Sequence, residues 1–140
     1  MKSTTELRRW TPATQALLRI VVALLFLQHG LAKLIDFPHM ENIKQVFSVF
    51  GEMSDVFKVA AGLIETIGGV LLAVGFLTRG VAFVLCGFSA VAYFVVHAPQ
   101  SFYPALNGGD HSVLFCFAAL FLAAAGPGSW ALDRPDRLDR

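Results

Sequence analysis

The sequence predicts an all-α membrane protein: a bundle of four transmembrane helices with an outer amphipathic helix between the first two. Three observations predict it. The 140-residue chain is 56% hydrophobic with mean hydropathy +0.63, too apolar for an ordinary small soluble domain. Its apolar residues gather into four stretches, close to the roughly 17–25 residues that a spanning helix needs. Charged residues make up only 15%, and they collect at the two ends and in one loop.

The first span is read over 14–35, with Thr11 as a cap and Pro12 at the first helical position, where its missing N–H costs nothing. Lys2, Arg8 and Arg9 ahead of 16–27 loosely mimic a signal peptide. Arg19 interrupts that core, no A-x-A site follows and further apolar segments come next, so the stretch reads as a span. No lipidation motif is seen. The second span is read over 56–77, capped by Ser54 or Asp55. Thr78-Arg79-Gly80 turns the chain into the third, 81–97, which Pro99 ends. A loop with Tyr103-Pro104 and Asn107-Gly108-Gly109-Asp110 leads to the fourth, 111–125, stopped by Gly126-Pro127-Gly128.

Between the first two spans, Ile43, Val46, Phe47 and Phe50 follow helical spacing, with Glu41, Asn42, Lys44 and Gln45 among them. This predicts a short amphipathic helix on the outer surface, ended near Gly51; a lid over the bundle and an interface anchor both fit it. There is no internal repeat.

Orientation follows from the basic residues. Lys2, Arg8, Arg9, Arg79, Arg134, Arg137 and Arg140 fall on one side of a four-crossing arrangement, and Lys44 and Lys58 on the other. The sequence therefore predicts a transmembrane domain over 14–127, with 1–13 and 128–140 both cytoplasmic. Trp10 and Trp130 sit at that side as interface anchors. Arg19 is expected to snorkel to the same face, and the tail from Asp133 onward to be solvated. A net charge of +1 gives no argument for nucleic acid.

Glu65 is the outstanding residue. It lies near the middle of the second span, where an ionisable group costs about 2.5–3.5 kcal/mol by insertion scales. Ala61, Gly62, Gly68 and Gly69 flank it at helical spacing, so its face should look into the bundle. At about 1.5 Å per residue, Glu65 falls near the midplane and His29, Lys33, Tyr93 and His97 in the outer half. A bundle can then gather Glu65, Lys33, His29 and His97 as candidate catalytic groups. Tyr93, Asn107, Asp110 and His111 at its mouth are candidate substrate-binding residues. Plainer readings stand beside these. Lys33 and Glu65 form a structural pair; Asp110 caps the fourth helix; His97 bonds end carbonyls; His111 is a wet interface residue. His39 is assigned no role.

Cys86 and Cys116 are the only cysteines. Depth counting separates them by roughly 10 Å, beyond the usual disulfide Cα separation of about 4.4–6.8 Å, so they read as separate buried thiols. No metal spacing, Walker loop, dinucleotide fingerprint or haem attachment motif is present, and no cofactor is evident. The thirteen phenylalanines leave room for a quinone slot without demonstrating one.

Several short motifs occur in a telling order. They are Phe26-Leu27-Gln28-His29-Gly30-Leu31-Ala32-Lys33, Gly62-Leu63-Ile64-Glu65-Thr66-Ile67-Gly68-Gly69, Gly75-Phe76-Leu77-Thr78-Arg79, Asn107-Gly108-Gly109-Asp110 and Gly126-Pro127-Gly128-Ser129-Trp130-Ala131-Leu132-Asp133. Together they resemble the DoxX family of small four-helix membrane proteins. Relatives often carry Glu after the paired glycines, where this chain has Asp110.

The resemblance implies a bacterial inner-membrane protein. Some relatives are linked to quinone-coupled sulfur oxidation, others to redox or oxidative-stress functions with membrane partners. The expected function is a redox-associated membrane protein binding a quinone-like amphipathic molecule in the outer half of the bundle. The alternatives are an accessory or scaffold subunit of a membrane oxidoreductase, and a small proton-coupled carrier. Partners expected are the lipid bilayer, an oxidoreductase subunit and a second copy of the chain.

Overall fold

The computed structural model describes residues 8–133. All its regular elements are helical. Helix α1 spans Thr11–Ile35, with Pro12 in its first turn. A short helix α2, Ile43–Phe47, runs on as a 3-10 turn over Ser48–Met53 and bends at Gly51. Helix α3 spans Ser54–Val74 and stops at Gly75, whose φ of 67° turns the chain while its N–H bonds the carbonyls of Leu71 and Leu72. Helix α4 spans Thr78–Ala92 and widens into a π-turn at Tyr93–His97, closed by Ala98 N–H to the Tyr93 carbonyl at 2.8 Å. A single turn α5, Pro104–Asn107, precedes α6, Asp110–Ala125.

Three stretches are long and apolar enough to cross a membrane: Thr11–Ile35, Ile43–Val74 and Thr78–His97. Helix α6 is apolar but only 16 residues long, shorter than the usual spanning length. The sequence expectation of four crossings therefore meets three clear spans and one shorter helix. The segment expected to be amphipathic is α-helical only over Ile43–Phe47, continues as 3-10 and bends at Gly51. Only Phe47 in it is buried, and Phe50 stacks on Phe57 of α3 at 4.2 Å.

Packing is in two antiparallel pairs, α1 with α3 and α4 with α6. Small residues set the first pair. A Cβ on Gly30 would lie 2.7 Å from the Thr66 amide nitrogen and 2.9 Å from the Gly62 carbonyl. One on Gly69 would meet the Ala23 carbonyl at 2.9 Å. The backbones thus touch where side chains are missing. Gly68 receives Leu85 from α4, which ties the pairs together. The shared core is Val22, Ala23, Phe26, Leu72, Ala82, Leu85, Ala119 and Leu122.

The end of the bundle formed by Thr11, Gly75 and Ala125 is sealed by residues 126–133, which act as a strap. Arg19 is fully buried beneath it and donates to the carbonyls of Pro127 at 2.5 Å, Ser129 at 3.3 Å and Trp130 at 2.7 Å. Gln15 donates to the Gly126 carbonyl at 2.6 Å, and the Ser129 N–H to the Pro12 carbonyl at 2.9 Å. Arg79 donates to the last α6 carbonyls, those of Ala123 and Ala124. Asp133 then accepts from the Leu77 N–H at 2.9 Å and the Thr78 N–H at 2.7 Å, satisfying the start of α4.

Two expectations are corrected here. Arg19 does not snorkel to water; the returning strap brings three backbone carbonyls to it instead. Asp133 is not the start of a solvated tail but a helix cap. The remaining tail, 134–140, and the N-terminal residues 1–7, Lys2 among them, lie outside the described residues.

The cysteine expectation is also overturned. The Cys86 and Cys116 sulfurs lie 3.6 Å apart. Depth counting measured each helix from its own edge of an idealised layer about 30 Å thick, whereas the direct pairing of α4 with α6 sets their relative height. Arg79 fixes the register, because Cys86 lies seven residues from Arg79 and Cys116 seven from Ala123, whose carbonyl Arg79 holds. Antiparallel helices clamped at that point bring both cysteines to one level.

Candidate functional site: a buried ion pair and a loop clasp

Glu65 occupies the middle of α3 on the face lined by Ala61, Gly62, Gly68 and Gly69, all buried. It is 6% exposed. Lys33, in the last turn of α1, reaches it: Lys33 Nζ lies 2.6 Å from Glu65 Oε2, with both side chains nearly sealed from solvent. The same ammonium donates to the His29 carbonyl one turn earlier, at 3.3 Å. The glycine contacts between α1 and α3 make this reach short, since a Cβ on Gly62 would itself crowd the Lys33 stem. In so apolar a setting an isolated charge is very costly, and each partner supplies what the other needs.

His29 stands beside the pair, half-buried, with its ring edge-on to Phe115 of α6 at 5.7 Å. His111 lies in the first turn of α6, one turn before Phe115. It is exposed, as is Asp110. Asp110 occupies the first turn of α6, where its charge favours the helix N-terminus, and Gly109 rather than Asp110 is the cap residue.

The other predicted residues form a separate group. His97 Nδ1 lies 3.0 Å from the Asn107 carbonyl, and its ring stacks over Tyr93 at 6.4 Å. Tyr93 donates its hydroxyl to the Phe102 carbonyl at 2.8 Å. Asn107 is buried, donates to the Ser101 carbonyl at 2.6 Å and accepts from the Gly109 N–H at 2.7 Å. These three side chains clasp the loop between α4 and α6. Among the described residues, no hydrogen bond or ring contact joins the clasp to the Lys33–Glu65 pair. The structure thus divides the predicted site in two.

A large cavity lies elsewhere. It is an apolar groove of about 1310 Å³ between α3 and α4, open on one side and running to the strap. Ile64, Ile67, Gly68 and Leu71 form one wall, Val81 and Val84 the other, with Thr78 and Arg79 at the strap end. Its upper limit on α3 is the turn that carries Glu65. Sequence reasoning placed the pocket at the opposite end of the bundle and missed the strap residues Gln15, Arg19 and Asp133. The one signal for the strap was the dense Gly-Pro-Gly turn chemistry after 125.

The chain has clear relatives. It is 37% identical over 131 residues to an uncharacterized protein of Haemophilus influenzae, covering 91% of this chain and 94% of that one. It is 29% identical over 122 residues to the inner membrane protein YqjF of Escherichia coli, covering 83% and 86%. No solved structure matches it. The sequence profile of DoxX matches residues 14–98, through α1, α3 and α4 and including both partners of the buried ion pair. With three spanning helices and these relatives, the chain is a multi-pass membrane protein and belongs to the DoxX family.

Proposed function

We propose that the protein is a redox-associated inner-membrane protein that handles a quinone-like amphipathic molecule, with Glu65 as the buried proton donor or acceptor. The observation that carries this reading is the Lys33–Glu65 pair, 2.6 Å apart and nearly sealed from solvent inside an apolar bundle. Lys33 holds the charge of Glu65, or anchors a carbonyl oxygen when Glu65 is protonated. His29 stands beside the pair and packs edge-on against Phe115, one turn along α6 from the exposed His111, and offers a proton route. The groove between α3 and α4 climbs to the turn of Glu65, which suits an isoprenoid tail beneath a polar ring. Electrons come from a membrane oxidoreductase partner.

In this reading the strap end is cytoplasmic, following the basic residues, and α6 is a fourth crossing. Helix α6 runs beside α4 from the Arg79 clamp to Gly109, where a Cβ would touch the Tyr93 ring. Placement in the inner membrane rests on the likeness to YqjF.

A specific observation favours a second reading, a non-catalytic accessory subunit. His97, Tyr93 and Asn107 are all engaged in the loop clasp, leaving the ion pair with a structural role as a register clamp. Glu65→Gln in purified protein, assayed with its membrane partner, separates the two. The proton role predicts a loss of about 10²–10⁴-fold in quinol formation. Unchanged quinone binding and turnover in a folded Glu65→Gln protein leaves only the accessory role.

A further inference from the structure

Helices α4 and α6 carry the two cysteines, and the fold sets them against each other. Their sulfurs are 3.6 Å apart, close enough for one thiol to donate to the other. Ala82 and Ala119, both fully buried, belong to the same helix pair and allow its close approach. Both cysteines are free and partly exposed at the surface of the seam. Thirty residues separate them in sequence, so the contact is a product of the α4–α6 register rather than of local geometry.

Their depth narrows the chemistry that can reach them. Cys86 lies seven residues, about 10 Å, along α4 from the Arg79 clamp. It is within an apolar spanning stretch, and Cys116 is within the apolar helix beside it. Strongly hydrated oxidants such as a glutathione disulfide do not enter such a layer. A neutral, lipid-soluble two-electron oxidant does.

We propose that Cys86 and Cys116 are a redox-active dithiol that a lipid-phase quinone oxidises to a disulfide bridging α4 and α6. Both S–H bonds break and one S–S bond forms. The two electrons and two protons released pass to the two carbonyl oxygens of the quinone, which leaves as the quinol. The reduced state leaves α4 and α6 joined by packing and by Arg79; the oxidised state staples them at mid-helix. This dithiol needs no contribution from the Lys33–Glu65 pair and stands or falls apart from the proton role of Glu65.

The test uses the full chain, reduced, in lipid nanodiscs under anaerobic conditions. The probe is a short-chain benzoquinone substituted at every ring position, so that thiol addition to the ring is blocked. The expected result is one quinol formed per chain, loss of both alkylatable thiols and an intact-mass decrease of about 2 Da, as for a two-electron dithiol oxidation. Cys86→Ser and Cys116→Ser each abolish all three changes. Two thiols that stay alkylatable overturn the proposal, and so does a disulfide between chains instead of within one. Closure by diamide but not by the quinone overturns the assignment of the oxidant.

Discussion

A carboxylate at 6% exposure in the middle of an apolar helix is tolerated here because Lys33 lies 2.6 Å away. That pairing makes the two residues interdependent. Lys33→Met alone leaves Glu65 buried without its counter-charge and is expected to cost about 3–5 kcal/mol of stability. Lys33→Met combined with Glu65→Met removes both charges and should recover most of that loss, read as thermal unfolding in detergent. A double-variant loss equal to the sum of the Lys33→Met and Glu65→Met losses would show that the two side chains do not act as a pair. Asp133 shows the same interdependence at the surface. Burial by itself raises its pKa, but the N–H groups of Thr78 and Leu77 and the charge of Arg19 outweigh that and hold it below the ordinary aspartate range. A carboxylate with a depressed folded pKa stabilises above its unfolded pKa and loses that contribution as pH falls through the folded value. The strap should therefore stay closed through mildly acidic pH and loosen only below the usual aspartate range. Proteolysis of the segment after 125 as a function of pH reads this directly. Asp133→Asn should leave the strap looser than the wild type wherever Asp133 is ionised, and remove the acid-dependent step.

At the scale of elements, glycine positions separate interface from surface. The α1–α3 contact has no room for a methyl group at Gly30, where backbone atoms of α3 stand within 3 Å of a Cβ position. Gly30→Ala is expected to cost about 1–3 kcal/mol through forced separation of the helices. Gly87, in the interior of α4, has open space around it. Gly87→Ala should instead stabilise by about 0.5–1 kcal/mol through helix propensity. Detergent melting of the two variants gives opposite signs if the packing is as described. The strap is an element of its own, and Arg19 is its fastening. Arg19→Lys keeps the charge but loses the fork that reaches three carbonyls, and is expected to cost on the order of 2–3 kcal/mol. The small-residue face of α3 was legible from spacing, since Gly62, Gly68 and Gly69 recur with Glu65 on one side of a helix. The strap was not, because its partners are backbone carbonyls more than a hundred residues away from Arg19, and no side-chain pattern encodes those.

For the whole molecule, the two helix pairs set the proportions. Helix α6 is shorter than α1 and α3, yet it runs the length of α4 because α4 and α6 are clamped near one end by Arg79 and meet at Gly109 and Tyr93 at the other. If α6 crosses as proposed, the number of crossings is even and both termini lie on one side. Fusions at the C-terminus are expected to report a cytoplasmic location, and phosphatase insertions in the loop at 98–109 an external one. A phosphatase-active C-terminus would mean that α6 does not cross. The division of polar residues also belongs to this scale. Glu65, Lys33 and His29 come together because α1 and α3 pair directly, whereas His97 is drawn to Asn107 because the loop after the π-turn folds back on its own helix.

Hydropathy, helix signals and the order of short motifs determined by themselves that this chain is an all-α membrane protein, that it resembles DoxX proteins, and that Glu65 faces other helices; that Lys33 meets it came from the fold. The first three rest on local properties: a run of apolar residues, a cap or a breaker, small residues one turn apart. Only the tertiary structure decided that Arg19 and Asp133 fasten a strap, that the apolar groove lies at the strap end, and that Cys86 meets Cys116. Each of those depends on relative helix register and on carbonyl groups that every residue carries alike. Counting residues from an idealised bilayer edge cannot supply that register when an arginine clamp sets the height of one helix against its neighbour.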